Sequence, residues 1–319
     1  MRRSRAFVVF GWFLTLLAVA TVTARSHAAD RMRSRSAAAG VLTGSRSELQ
    51  LLPLRGNHEA ALFGSFVKPG AAPFDVPPGE AGCPPEMVEV EGDYCPLVEQ
   101  KCLRWLDPAT HLQCAEFDKT VAATCPVKTQ HKRFCIDRYE WPNKVGALPR
   151  YMASWYEAKA SCAATGKRLC SDTEWTLACE GEDRRPYPYG DGYERDQQAC
   201  NIDKPYIWPH AEKVYDPRTS SDELARLDQR EASGSRVACV SPYGVHDMVG
   251  NVDEWVVNVS QAGKPHLSGL KGGYWGPVRT RCRPMTTAHD ETFRYYQIGF
   301  RCCGEAQSAE SGDAPLATR

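Results

Sequence analysis

Fourteen cysteines stand at positions 83, 95, 102, 114, 125, 135, 162, 170, 179, 200, 239, 282, 302 and 303, and none precedes position 83. An even count in an exported chain reads as a disulfide framework. Zinc or iron–sulfur ligation is the other use of so many cysteines. Such sites usually contribute their ligands as Cys-x-x-Cys pairs, and this sequence contains no such pair. The framework therefore confines the fold to residues beyond 82.

The amino terminus carries the export features that a disulfide framework requires. Arg2, Arg3 and Arg5 form a positive region, and Ala6 to Ala24 is an apolar run without a charge. Val22-Thr23-Ala24 or Ser26-His27-Ala28 supplies a small-residue cleavage site, so residues 1–29 read as a signal peptide. A mature chain is expected to begin after Ala24, Ala28 or Ala29. An uncleaved anchor is the alternative, since about 20 apolar residues just span a bilayer. Thr15, Thr21 and Thr23 weaken that reading. The expected location is secreted, periplasmic or in the cell envelope.

Residues 30–82 read as a flexible linker: Arg31 to Ser36 is basic and polar, and Pro69 to Gly82 is rich in Pro, Gly and Ala. Such a composition buries too little surface to offset its ordering entropy. The stretch 304–319 is similarly polar and reads as a disordered tail. A single domain over 83–303 remains. Lys plus Arg and Asp plus Glu both number 39, so no net charge directs the chain to nucleic acid. Nothing points to a membrane beyond the export signal.

Local patterns within 83–303 indicate an α+β domain, loop-rich with little regular secondary structure. Met87 to Val90 and Phe134 to Glu140 read as strands. Ser154 caps a helix whose Trp155, Ala158 and Cys162 share a face, and Gly166 ends it. Ser171-Asp172-Thr173-Glu174 opens a second helix in capping-box form, with Trp175, Ala178 and Cys179 on one face. Beyond Gly181 the sequence turns irregular. Asn258-Val259-Ser260 fits a glycosylation sequon.

Several of these strings, in order, resemble one family. They are Ala153 to Ala158, Gly166-Lys167-Arg168-Leu169, Thr173-Glu174-Trp175, Pro188-Tyr189-Gly190, Cys200-Asn201-Ile202, Ser241 to Trp255, Gly272-Gly273-Tyr274-Trp275 and Ile298 to Cys302. Together they resemble the formylglycine-generating enzymes, or sulfatase-modifying factors, over about residues 85–303. An aromatic more often stands where this chain has Asp253. The resemblance implies the formylglycine-generating-enzyme fold, distantly similar to C-type lectin domains, with a surface groove for an extended peptide or protein ligand. It also implies a disulfide from Cys179 to Cys302, and Cys170 is further expected to bond Cys282.

Two metals enter through this resemblance. Asp247, Gly250, Val252 and Glu254 map to a calcium site, and two carboxylates with backbone carbonyls suit a hard cation. A capped turn with solvated acids is the plainer account of the same residues. A second calcium site maps to Asn201, Ile202, Asp228 and Arg230, the last through its carbonyl. Family enzymes hold copper between two thiolates five residues apart, a soft-ligand arrangement suited to Cu(I). Counting from Gly272-Gly273 places these at Pro277 and Cys282. Proline is no ligand, and Tyr274 replaces a serine of the active-site neighbourhood, so copper is not expected.

Cys282 remains a candidate nucleophile, with Arg279, Arg281 and Arg283 available to lower a thiol pKa. With every other cysteine expected to be paired, it reads more readily as a disulfide half. His246, His266 and His289 are too dispersed in sequence to announce a non-haem iron site. The favoured expectation is a calcium-stabilised binding module or pseudoenzyme. The alternative is a divergent formylglycine-generating-type or non-haem metal oxidase acting on protein or peptide substrates.

Overall fold

The structure is a computed structural model that describes residues 82–121 and 124–307. The proposed signal peptide and almost all of the proposed linker lie outside the described residues. Strand β1 (Met87–Tyr94) pairs antiparallel along its whole length with β4 (Gln130–Asp137). Its alternation of buried Val88, Val90 and Tyr94 with more open Glu89, Glu91 and Asp93 is the period-2 pattern of a half-buried strand. Between them, β2 (Cys102–Trp105) and β3 (Cys114–Phe117) form a separate hairpin.

Helix α1 (Trp155–Ala163) starts where the sequence indicates. The Ser154 Oγ accepts from the Glu157 N–H at 3.3 Å, and the Glu157 carboxylate accepts from the Ser154 N–H at 2.8 Å. The same reciprocal box, Ser171 with Glu174, starts α2 (Asp172–Glu180), and Gly181 at φ 66° ends it. Between the helices lies the short strand β5 (Arg168–Leu169). Beyond Gly181 the chain also forms α3 (Ala211–Tyr215) and α4 (Ser220–Leu227), which the local pattern does not announce.

The remaining strands are β6 (Asp253–Val257), β7 (Ser268–Lys271), β8 (Met285–Thr286), β9 (Ile298–Phe300) and β10 (Cys302–Glu305). One sheet has the order β1-β4-β10-β5 and the other β8-β7-β6-β9, with β6 and β9 parallel. Helix α2 packs against both sheets and buries Trp175, Leu177 and Ala178 among Val88, Val90, Phe134 and Ile136. Regular structure thus reaches Glu305, and the Gln307 N–H donates to the Gly82 carbonyl at 2.8 Å.

All fourteen cysteines are paired. The bridges are 83–135, 95–125, 102–114, 162–302, 170–303, 179–282 and 200–239. This corrects the expectations of Cys179 with Cys302 and of Cys170 with Cys282. The reason is strand alternation. Cys302 and Cys303 are consecutive on β10, so their side chains leave opposite faces. One face meets Cys162 on the buried side of α1, and the other meets Cys170 just beyond β5, the strand paired with β10. Cys179, in the last turn of α2, faces Cys282 instead.

Candidate functional site

The loop after β7 and the start of β6 enclose a cavity of about 240 Å³. Its walls include Leu112, Asp253, Leu270, Gly272, Gly273, Tyr274, Val278, Arg279, Pro284 and Thr286. The Gly-Gly motif therefore lies in a pocket, beside the stretch that the resemblance assigns to copper. Cys282 contributes no thiol there, because it is fully buried and bonded to Cys179. With Pro277 at the other position, the dithiolate that copper chemistry requires does not exist in this chain, and the residues present do not fit that metal.

The arginines around Cys282 have other work. Arg283 makes a bidentate ion pair with the buried Glu180 at 2.7 and 2.5 Å and donates to the Cys95 carbonyl at 2.9 Å. Arg281 lies over the Phe117 ring at 5.3 Å, and the exposed Arg279 donates to the Thr286 hydroxyl at 3.2 Å. Burial still pushes the Glu180 carboxyl up to about 7, while Arg283 pulls it down.

Asp253 is the acid inside the pocket. Its Oδ1 accepts from the Gly273 N–H at 3.2 Å. Desolvation pushes its carboxyl up to about 7, against the pull of that hydrogen bond, and the neighbouring Glu254 raises it further. Burial likewise pushes the Tyr274 phenol up to about 12, with the Asp253 charge among the contributors. The sequence marks Asp253 only as a departure from an aromatic; its place in a pocket emerges from the fold.

The residues assigned to calcium come together in two adjoining loops. Gly250 adopts φ 81°, and a Cβ there would lie 2.3 Å from the Asn201 carbonyl oxygen, so only glycine admits this approach. Asp247 and Asn251 are also left-handed, at φ 57° and 52°. The Asn251 N–H donates to the Asn201 carbonyl at 2.9 Å, which fastens the loops together.

Glu254 is already engaged. Its carboxylate takes Arg301 Nε and Nη2, each at 2.7 Å, and Trp175 Nε1 at 2.7 Å. Asp247 accepts from the Gly234 N–H at 2.7 Å. Glu140 completes the group; it accepts from Asn251 Nδ2 at 2.7 Å and from the Val252 N–H at 3.1 Å. Three buried carboxylates thus share one buried guanidinium. Burial raises the Glu140 carboxyl well above its ordinary value, reinforced by the Asp247 and Glu254 charges, and burial puts Asp247 at about 6. Glu140 and Arg301 lie within stretches that the sequence marks, but nothing local indicates that they meet, being far apart in the chain.

At the second set, Asp228 is held by Arg230 through Nε at 2.8 Å and Nη2 at 2.7 Å, and that guanidinium stacks on Tyr151 at 3.6 Å. The Asn201 Oδ1 is buried without a hydrogen-bond partner, although its Nδ2 donates to the Gln229 carbonyl and to Asn251 Oδ1. A buried oxygen without a donor is expensive unless a cation or water meets it. That oxygen suits a hard cation, which would share Asp228 with Arg230; a cation in the 247–254 loop would likewise share Glu254 with Arg301.

The histidines do not converge. His246 stacks on Tyr139 and His289 on Phe293. Among the described residues no three His, Cys, Asp or Glu side chains are grouped to hold a metal ion. Asn258 of the sequon is 3% exposed, and its amide donates to the Lys264 and His266 carbonyls at 3.1 and 3.0 Å, so it is not presented for glycosylation in the folded domain. No helix among the described residues is long and apolar enough to cross a membrane.

Residues 95–306 match the family model described as "Sulfatase-modifying factor enzyme 1-like domain", and the chain belongs to this family. It is 28% identical over 167 residues to "Inactive C-alpha-formylglycine-generating enzyme 2" of Bos taurus, covering 50% of this chain and 51% of that protein. It is 25% identical over 170 residues to the "Formylglycine-generating enzyme" of Thermomonospora curvata, covering 50% and 52%. The chain thus spans about half the length of the curated relatives it matches. Among solved structures, that of PvdO from Pseudomonas aeruginosa aligns at 18% identity and a TM-score of 0.43, over 70% of this chain and 95% of that one.

Proposed function

We propose that this protein is a secreted or envelope binding module of the family, a pseudoenzyme that holds an extended peptide or protein segment at the pocket beside Gly272-Gly273. One observation carries the reading: Cys282 is locked to Cys179, opposite a proline at the partner position. Copper-dependent oxidation needs two protein thiolates to fix the ion, whereas the pocket itself persists. Seven disulfides support an oxidising compartment. The test is incubation of the purified protein with Cu(I), oxygen and a Cys-x-Pro-x-Arg peptide. No aldehyde is expected by mass spectrometry, and turnover that disappears in Cys282→Ser would overturn the reading.

Calcium belongs to the same proposal. Asn201, Ile202, Asp228 and the Arg230 carbonyl would hold one ion, and Asp247, Gly250, Val252 and Glu254 a second. Bound there, calcium supplies positive charge that ties the two loops together. The unpartnered Asn201 Oδ1 and the excess of buried acid support this. A ligand that binds only the folded state stabilises it by about 2.7 kcal/mol at a hundredfold excess over Kd. A chelator is therefore expected to lower the melting temperature, and Asn201→Ala to blunt that drop. A melting curve unmoved by chelator would rule the ion out.

A further inference from the structure

The pocket holds a carboxylate without a counter-ion. Among the described residues Asp253 has no ion-pair partner within 4 Å. The charges of Arg279 and Lys271 reach it without a contact, because both side chains are hydrogen-bonded to other groups. Arg279, at the exposed rim, donates to Thr286, and Lys271 turns away to donate to the Arg283 carbonyl at 2.8 Å over the Trp175 ring. Glu254, next on β6, leaves the opposite face of the strand, where Arg301 neutralises it. Among the described residues the hydrogen bond to the Asp253 side chain comes from the Gly273 N–H and fixes Oδ1, and the residue is half-buried at the cavity wall. Leu112, Leu270 and Val278 supply apolar wall, and the Tyr274 ring lines the same cavity.

We propose that this pocket takes a protonated primary amine, as on the lysine side chain of an extended peptide, with Asp253 as its counter-ion. The inference rests on the reading of the pocket as the ligand site. A carboxylate withdrawn from water is stabilised by an opposite charge brought into contact with it. The Tyr274 ring, which lines the same cavity, is available as a cation–π partner. The four-carbon stem of a lysine matches the apolar wall, because such stems pack on apolar surface while the ammonium seeks a polar partner. Arginine 279 at the mouth leaves the opposite outcome, an anionic ligand, as the rival that the experiment must separate.

The experiment uses the full chain with 15N-labelled glycine and follows the amides of Gly272 and Gly273. Three probes are titrated: Nα-acetyl-lysine amide, the norleucine analogue that lacks the amine, and the glutamate analogue. The lysine probe is expected to shift both signals with at least tenfold higher affinity than norleucine. Asp253→Asn keeps an oxygen for the Gly273 N–H and is expected to erase that difference. Should this variant not fold, the comparison of lysine with norleucine on the native chain decides alone. Equal affinities would overturn the amine assignment and leave the pocket as a ligand site. Preference for glutamate, lost in Arg279→Ala, would overturn it in favour of an anion. If no probe moves either signal, the amine assignment falls together with the pocket reading.

Discussion

Replacing Cys162 and Cys302 together by alanine is expected to cost about 3 kcal/mol, although a bridge closing so long a loop on its own is worth about 5 kcal/mol in the chain-entropy account. The sequence separations are 140 and 133 residues for the 162–302 and 170–303 bridges. Each bridge already holds the ends of the other close together. With Cys170–Cys303 intact, the ring closed by Cys162–Cys302 has only roughly ten residues, 162–170 on one side and 302–303 on the other. The same small ring limits the loss of Cys170–Cys303 to about 3 kcal/mol. Removing both leaves the strands tethered only through Cys179–Cys282, a ring of roughly 30 residues, and the combined loss is about 6 kcal/mol. That approaches the whole stability of an ordinary domain. Denaturant unfolding of the three variants measures these differences. A single-bridge loss of 5 kcal/mol or more would show that the bridges act independently.

The second large effect is electrostatic. Arg301 is 1% exposed and faces Glu254 in a bidentate pair, with Glu140 and Asp247 close by. Removing one member of a buried pair costs about 3–5 kcal/mol, because the survivor remains buried with its charge uncompensated. The two members are not equivalent here. Glu254→Gln leaves the guanidinium near two further carboxylates, so its cost belongs at the lower end. Arg301→Met leaves three carboxylates with only the half-buried Arg236 acting on one of them, Asp247, so its cost belongs at the upper end. The pH dependence has a defined sign. Asp247 takes its proton at about 6 in the fold and near 3.8 when unfolded. Between those values the native state binds more protons, so this group makes stability fall as pH rises. Loss of Arg301 enlarges that effect. Arg301→Met is therefore expected to be least damaging near pH 4, in chelator-treated buffer. A larger loss in Glu254→Gln than in Arg301→Met would contradict the charge count.

What the sequence disclosed was local. Ser154 with Glu157 and Ser171 with Glu174 are three residues apart, so both helix starts were legible and occur where expected. The β-branched Val88 and Val90 announced β1, though the strand runs on to Tyr94. Helix α4 escaped because Ser220-Ser221-Asp222-Glu223 is polar and lacks a side-chain cap. The bridges of Cys302 and Cys303 depend on which face of β10 each residue leaves, and adjacent cysteines in a sequence do not reveal that. Asp253 was visible as a departure from an aromatic, but its meaning required knowing that Gly273 and Tyr274 fold over it. The pairing of Glu254 with Arg301 joins β6 to the residue between β9 and β10, which no local spacing connects.

The bridge pattern also fixes an order of events during synthesis. Cysteines 83–135, 95–125 and 102–114 meet partners within the first third of the domain and can oxidise as soon as that part emerges. Cys162, Cys170 and Cys179 wait for partners that lie within residues 282–303. At 5–20 residues per second, the 103 residues from Cys179 to Cys282 take about 5–20 s to appear. Three thiols are exposed to the oxidant throughout that interval, and Cys302 and Cys303 then arrive side by side, each able to attack a partner meant for the other. An oxidase alone would seal such mispairings, whereas thiol–disulfide exchange through mixed disulfides can undo them. Native yield is therefore expected to rise with a disulfide isomerase in the refolding mixture, through reshuffling of the few late cysteines at the end of the domain.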